Sequence, residues 1–113
     1  MNPEQYKFLY DISDSIGAIE SYLTGVKSVG DYKQDHKTID AVERRLAIIG
    51  EALWKADKIE NLVAITNKTK IIGLRHILVH DYDLIDDEAI WTICKKYLPI
   101  LKQEIANILP NNK

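Results

Sequence analysis

The residue types best suited to chemistry are concentrated between positions 75 and 83, which read Arg-His-Ile-Leu-Val-His-Asp-Tyr-Asp. The segment holds one guanidinium (Arg75), two imidazoles (His76 and His80) and one phenol (Tyr82). An imidazole exchanges protons near neutral pH, and a guanidinium stays charged and binds phosphate through parallel hydrogen bonds. No other stretch of the chain is so dense in reactive groups. We therefore predict that any chemistry lies around Arg75, His80 and Tyr82.

The two histidines raise the question of a metal site. His76 and His80 lie four positions apart, which places both on one face of a helix and is compatible with a metal ion. The Glu of a His-Glu-x-x-His site is absent, because Ile77 follows His76. Asp81 or Asp83 would have to serve as a third ligand. We expect no metal and no cofactor.

The spacing of Arg75 and His80 restricts how they act together. Residues five apart lie roughly 140° apart around a regular helix, so the two side chains of one chain cannot hold the same small group. Two explanations are open: the helix ends before His80, or the site combines two chains. Each residue taken singly also has a structural interpretation, such as capping carbonyls at a helix end or covering a core edge.

Four helical periods must position these residues, each with apolar side chains at steps of three and four. We predict helix starts at Asn2-Pro3-Glu4, near Asp35, near Thr66 and near Asp86. The fold class is therefore all-α, an antiparallel four-helix bundle made by residues 1–113 as a single domain. The apolar stripes are Leu9 to Val26, Ile39 to Leu53, Ile71 to Leu78, and two adjacent stripes between Ile90 and Ile108.

Three residues give more local expectations. Gly50 is unusual inside a helix, where it costs up to about 1 kcal/mol relative to Ala, and it would permit a close helix crossing. Pro99 should kink the last helix or mark a weak point in it. The wide apolar face of that helix favours a homodimer. Trp54 and Trp91 are interpreted as packing residues.

Composition restricts the class of protein. The chain has 113 residues and a net charge of −2. A protein that coats DNA without sequence preference would be basic overall, so this class is excluded. A nucleic-acid substrate would need a local patch of lysine and arginine side chains. Arg44 and Arg45 are candidates for this patch, and Lys68 and Lys70 are weaker ones. The single cysteine, Cys94, predicts a buried thiol and a reduced, cytoplasmic protein. No run is long enough for a membrane span, and the N-terminus does not read as a signal peptide.

Taken together, the segment Arg75-x4-His80-x-Tyr82 resembles the Arg-x4-His-x-Tyr motif of HepT-like toxins, a branch of the HEPN superfamily. The resemblance extends along nearly the whole chain. The segments that carry it are 48–52 in the second helix, 71–75 and 78–82 in the third, and Trp91 and Leu98-Pro99 in the fourth. His76 departs from the Asn that the family often has after the motif Arg, and 64–67 lacks the family's frequent Trp.

The resemblance implies a four-helix HEPN fold, a homodimer and a metal-independent ribonuclease. Arg75 and His80 of both subunits would face each other in a cleft at the dimer interface. Glu51 would either orient Arg75 from the second helix or be a solvated or capping acid. His76, Arg44 and Arg45 are further candidates to support the site or contact RNA, and for at least one of the two arginines the alternative is a solvated face. It also implies a partner, a minimal nucleotidyltransferase (MntA-like) antitoxin that adds AMP to Tyr82.

Two rival hypotheses remain beside the enzyme. The first is a non-catalytic HEPN binding module that holds a nucleotidyltransferase partner or a nucleotide. The second is a purely structural dimerisation domain, in which Arg75 and His80 bind nothing.

Overall fold

A computed structural model describes residues 2–110, and every regular element in that range is helical. Four long helical segments, called rods here, run antiparallel to their neighbours in this range, and a short helix lies between the first two. The elements are α1 (Pro3–Tyr22), α2 (Val29–Gln34), α3 (His36–Ile59), α4 (Lys68–His80), a 3-10 turn (Tyr82–Leu84), α5 (Asp87–Thr92), a π-helical segment (Ile93–Tyr97) and α6 (Leu98–Ile108).

Three helix starts follow the predicted capping residues. The side chain of Asn2 accepts from the backbone N–H of Glu4 at 2.7 Å, and Asp35 caps α3 by accepting from Thr38 at 3.1 Å. Asp86 caps α5 in the same way. Each cap satisfies a backbone N–H that has no partner inside its helix. The start of α4 is two residues later than predicted, at Lys68 rather than Thr66.

The segment after α1 differs from the prediction. The apolar stripe was expected to continue to Val26, but α1 ends at Tyr22 and the chain turns at Gly25, whose φ is +85°. This left-handed conformation ends a helix and suits glycine because it lacks a Cβ. The chain then forms α2, which places Tyr32 in the core with its ring centroid 5.7 Å from that of Trp91.

Contacts between helix ends establish the antiparallel order. Near the start of α1, the amide of buried Gln5 donates to the carbonyl oxygens of Ala56 (2.9 Å) and Glu60 (2.8 Å) at the end of α3. The first residue of α4, Lys68, contacts Asp57 of α3 at 2.9 Å. Lys70 lies over the Tyr97 ring of the π-helical segment. The predicted all-helical class is confirmed. The described residues form the short α2 in addition to the four predicted helices, and their arrangement is compatible with a helical bundle.

The last rod is continuous from Asp87 to Ile108 but changes register before Pro99. The N–H of Leu98 donates to Ile93 five residues back, as in a π-helix. Pro99 cannot donate and its ring crowds the preceding turn, so the predicted weak point takes this form. The two apolar stripes are largely covered by the chain's own helices, and Cys94 is buried. Only Ile100 of these stripes is exposed, so this face leaves no broad surface for a second chain.

Gly50 brings α3 and α4 together, as predicted. A Cβ built on Gly50 would lie 2.6 Å from the Cβ of Arg75 and 3.1 Å from the carbonyl oxygen of Ile71. The first distance is shorter than real Cβ atoms show and the second is tighter than most Cβ contacts, so the close approach of α4 to α3 depends on the missing side chain at position 50. Within residues 2–110, no helix is both long and apolar enough to cross a bilayer.

Replacing Gly50 with Ala should therefore destabilise the protein. The added methyl group would push α4 away at Arg75, and overpacking of this kind costs about 1–3 kcal/mol, partly offset by the better helix propensity of Ala. Urea unfolding measures the difference. Gly17→Ala is the matched control, because nothing lies within 4 Å of its added Cβ, and it should stabilise the protein. Equal gains in both variants would contradict the close crossing.

Candidate active site

Arg75 is fixed by three residues of α3. Its backbone lies against Gly50, its Nε donates to Oε1 of Glu51, and its guanidinium stacks over Trp54 at 4.7 Å from the ring centroid. A carboxylate on one edge and an aromatic face beneath hold the guanidinium plane in one orientation. Among residues 2–110, its two terminal nitrogens have no hydrogen-bond partner, so they are available to a ligand.

Glu51 is the anionic member of this arrangement. The hydrogen bond from Arg75 holds the pKa of the Glu51 carboxyl below its usual value, with further help from the charges of Arg75 and Lys55. Lys55 Nζ lies 3.5 Å from the second carboxylate oxygen. Glu51 is therefore ionised at neutral pH and contacts Arg75, as the resemblance implies.

Trp54 is the residue that sequence reasoning missed, since it was interpreted as a packing residue. It is half-buried, and Arg75 and Lys58 both lie over its ring, with Lys58 Nζ at 4.3 Å from the centroid. The spacing from Glu51 to Trp54 to Lys58 is three and then four, which puts all three on one face of α3. This spacing is the sequence signal that could have placed Trp54 beside Glu51 on the face of α3 that meets Arg75.

His80 is the last residue of α4, and its side chain is exposed. The helix is unbroken from Lys68 to His80, so the explanation in which it ends before His80 is wrong. Arg75 and His80 thus lie on different sides of one continuous helix.

His76 lies beside His80 on the outer side of α4. Their ring centroids are 5.0 Å apart, and His76 Nε2 lies 3.3 Å from Oδ2 of Asp81, the residue that caps the helix. Both members of that pair are largely exposed, so its contribution to stability is small. Within residues 2–110, no three His, Cys, Asp or Glu side chains are grouped so that they could hold a metal ion.

Tyr82 opens the 3-10 turn after α4 and is 72% exposed. Its neighbours Val79 (55% exposed) and Leu84 (68%) are also unusually open for large apolar residues. Residues 79–84, called here the α4-end patch, therefore carry three exposed apolar side chains along with the exposed His80 and two aspartates. Such a patch is typical of a surface that meets a partner.

The basic candidates separate into two groups. Arg44 is exposed and, together with Arg75, lines a surface groove between α1 and α4. Arg45 is half-buried and does not line this groove. Neither makes an ion pair within residues 2–110. Lys68 is bound to Asp57 and to the Asn61 side chain, the latter at 2.6 Å, and these contacts fix the connection between α3 and α4.

Comparison with known proteins agrees with this geometry. The model of the family described as Ribonuclease HepT-like matches residues 12–108. The chain belongs to the HepT-like ribonuclease family. The resemblance found in the sequence is thereby confirmed, and the matched range includes the α3 and α4 segments of the candidate site.

Relatives of this HepT-like chain occur in Methanocaldococcus jannaschii. The protein named "Putative RNase MJ1380" is 36% identical over 103 residues, covering 87% of this chain and 90% of that protein. A second, "Putative RNase MJ0125", is 31% identical over 106 residues, with 90% and 88% covered. A third, named "Gamma-glutamylcyclotransferase and putative RNase MJ0434", is 36% identical over 104 residues, which are 90% of this chain but 46% of that protein. No solved structure is significantly similar to the chain.

The Glu51–Arg75 contact should make stability depend on pH. Because the pKa of Glu51 is lowered on folding, the contact stabilises the folded chain above the ordinary value of 4.5 and loses its effect as the pH falls through the lowered pKa. Urea unfolding should find Glu51→Gln less stable than wild type near about pH 7, with the difference shrinking below about pH 4. Glu60→Gln, at an exposed carboxylate, is the control. A difference that does not change with pH would contradict the ionic contact.

Proposed function

We propose that this protein is a metal-independent ribonuclease toxin that acts as a homodimer, with Arg75 and His80 of both chains meeting at one cleft. The observation that supports it best is that α4 runs unbroken through both residues. One chain cannot direct both side chains at one phosphate, whereas two chains packed through the α4-end patch can. Family membership supports the ribonuclease part of the proposal.

The chemistry requires no metal. One His80 accepts the proton of the ribose 2′-OH, and the resulting oxygen attacks the adjacent phosphorus. The bond from phosphorus to the 5′-oxygen breaks, and the second His80 donates a proton to that leaving oxygen. The products are a 2′,3′-cyclic phosphate and a 5′-hydroxyl. The two Arg75 guanidinium groups hold the non-bridging oxygens, where negative charge accumulates.

Neutralisation acts through Tyr82. A minimal nucleotidyltransferase antitoxin transfers AMP from ATP when the phenol oxygen attacks the α-phosphate and pyrophosphate leaves. The 72% exposure of Tyr82 makes its oxygen accessible to a second protein. The added nucleotide places bulk and negative charge two residues from His80, which excludes RNA and repels its backbone. Toxin, antitoxin and RNA would meet in the cytoplasm.

Cleavage of RNA by the partner-free protein in excess chelator tests the activity. Wild type should cut, and His80→Ala and Arg75→Ala should each abolish cutting. His80 is exposed, so its replacement should leave the thermal unfolding temperature nearly unchanged. If His80→Ala cuts as well as wild type, the proposed chemistry is wrong. If wild type does not cut although Tyr82 is unmodified by mass, the protein is a binding module instead.

A subunit-mixing experiment tests the shared cleft. Wild type is refolded together with increasing fractions of the double variant Arg75→Ala/His80→Ala. Because a cleft that uses both chains is intact only in wild-type pairs, activity should fall with the square of the wild-type fraction. A linear fall would show that each chain works alone. Mixing with Lys102→Gln, remote from Arg75 and His80, controls for losses on refolding.

Tyr82→Phe should separate toxicity from neutralisation. The variant keeps the ring but lacks the oxygen that would accept AMP, so it should cut RNA like wild type and arrest growth even with the antitoxin present. Intact-mass measurement should find one added AMP on wild type and none on the variant. Loss of activity with Tyr82 unmodified would contradict this mode of neutralisation.

A further inference from the structure

A groove beside Arg75 takes no part in the chemistry proposed for Arg75 and His80. It lies between α1 and α4, has α3 as its floor, and measures about 360 Å³. Ligand sites begin at about 300 Å³, so the groove has room for one nucleotide unit and not for a duplex. Its apolar surface comes mainly from Phe8, Ile48 and Val79.

The charges of the groove favour an anion. Four cationic side chains line it against two carboxylates, and both carboxylates are already bound. Asp11 lies 3.1 Å from Lys7, and Glu51 contacts Arg75 and Lys55. Arg44 is left without an ion pair among residues 2–110, in a chain whose net charge is −2. The positive groove is therefore a local feature and not a reflection of overall charge.

A second groove shows that size alone does not give this property. It measures about 350 Å³ and lies between α1 and the π-helical segment. Its charged lining residues are Glu20 and Lys95, one of each sign, and Glu20 also pairs with Lys102 at 3.0 Å. Unlike this second groove, the groove beside Arg75 combines an apolar surface with excess positive charge.

We propose that the groove beside Arg75 binds the nucleotide next to the scissile phosphate in a single-stranded RNA. Arg44 holds the phosphate of that nucleotide, and Phe8 and Ile48 contact its base. The inference rests on the proposed function, because Arg75 forms a wall shared by the groove and the cleft. A guanidinium binds phosphate in a bidentate manner, and an unpaired base presents a flat face to apolar and aromatic side chains. Bases in a duplex are stacked and cannot enter.

Binding is measured in a His80→Ala background, so that the probe is not cut. The probe is a short, fluorescein-labelled, single-stranded oligoribonucleotide of mixed sequence, followed by anisotropy at several salt concentrations. Adding Arg44→Gln should weaken binding about tenfold and reduce the slope of log affinity against log salt by about 0.7, the loss of one phosphate contact. Phe8→Leu should weaken binding several-fold without changing that slope. Lys102→Gln should change neither.

Arg44 is exposed and unpaired within the described range, so Arg44→Gln should fold normally, which its unfolding temperature checks. With His80 restored, Arg44→Gln should raise KM about tenfold and leave kcat within about twofold. Binding of both groove variants equal to the Lys102→Gln control would overturn the proposal, as would equal affinity for the duplex. If RNA binds through Arg44 but wild type does not cut, the groove is an RNA-binding site and the ribonuclease proposal falls.

Discussion

The contact between α3 and α4 at Gly50 is the constraint on which the site depends. With no side chain at position 50, the carbonyl oxygen of Ile71 and the Cα of Arg75 lie only 3.1 and 3.4 Å from the point that a Cβ of residue 50 would occupy. This closeness puts the Arg75 guanidinium within reach of Glu51, the next residue of α3, and of the Trp54 ring one turn further. A glycine inside a helix costs up to about 1 kcal/mol, and here the close packing and the ion pair offset that cost.

An arginine at position 75 does what a lysine could not. Its Nε binds Glu51 and its flat face lies on Trp54, yet its two terminal nitrogens stay available in a fixed plane. An ammonium group has a single nitrogen and no planar fork, so it could not bind the carboxylate and present further nitrogens to a phosphate in a fixed plane. Glu51 orients the Arg75 guanidinium and offsets part of its positive charge. Arg44, which lines the same groove, keeps the net charge of the groove positive.

Most of the helical architecture could be predicted because the chain punctuates its helices clearly. Capping residues such as Asn2, Asp35 and Asp86 stand where a side-chain acceptor is needed, and apolar steps of three and four lie between them. The six residues of α2 were missed because so short a helix has no period to detect. Gly50 was noticed because it is anomalous inside a helix. The stacking on Trp54 was not, since the sequence shows that a tryptophan lies near an arginine only after the helices are packed.

The helix that carries the reactive residues is also the one least supported by its own chain. Only Ile71 of α4 is buried, whereas α3 has eight buried residues. The first half of α4 is held by Lys68 on Asp57 and by the Gly50 contact, and Arg75 is bound to Glu51. Beyond Arg75 the helix packs on the core through side chains that are only partly buried, such as Leu78. Proton transfer requires a histidine that is positioned within a fraction of an ångström. In the proposed dimer, a second copy of the chain packed against Val79 and Leu84 would hold His80 in position and would bring the second Arg75 and His80 to the same cleft.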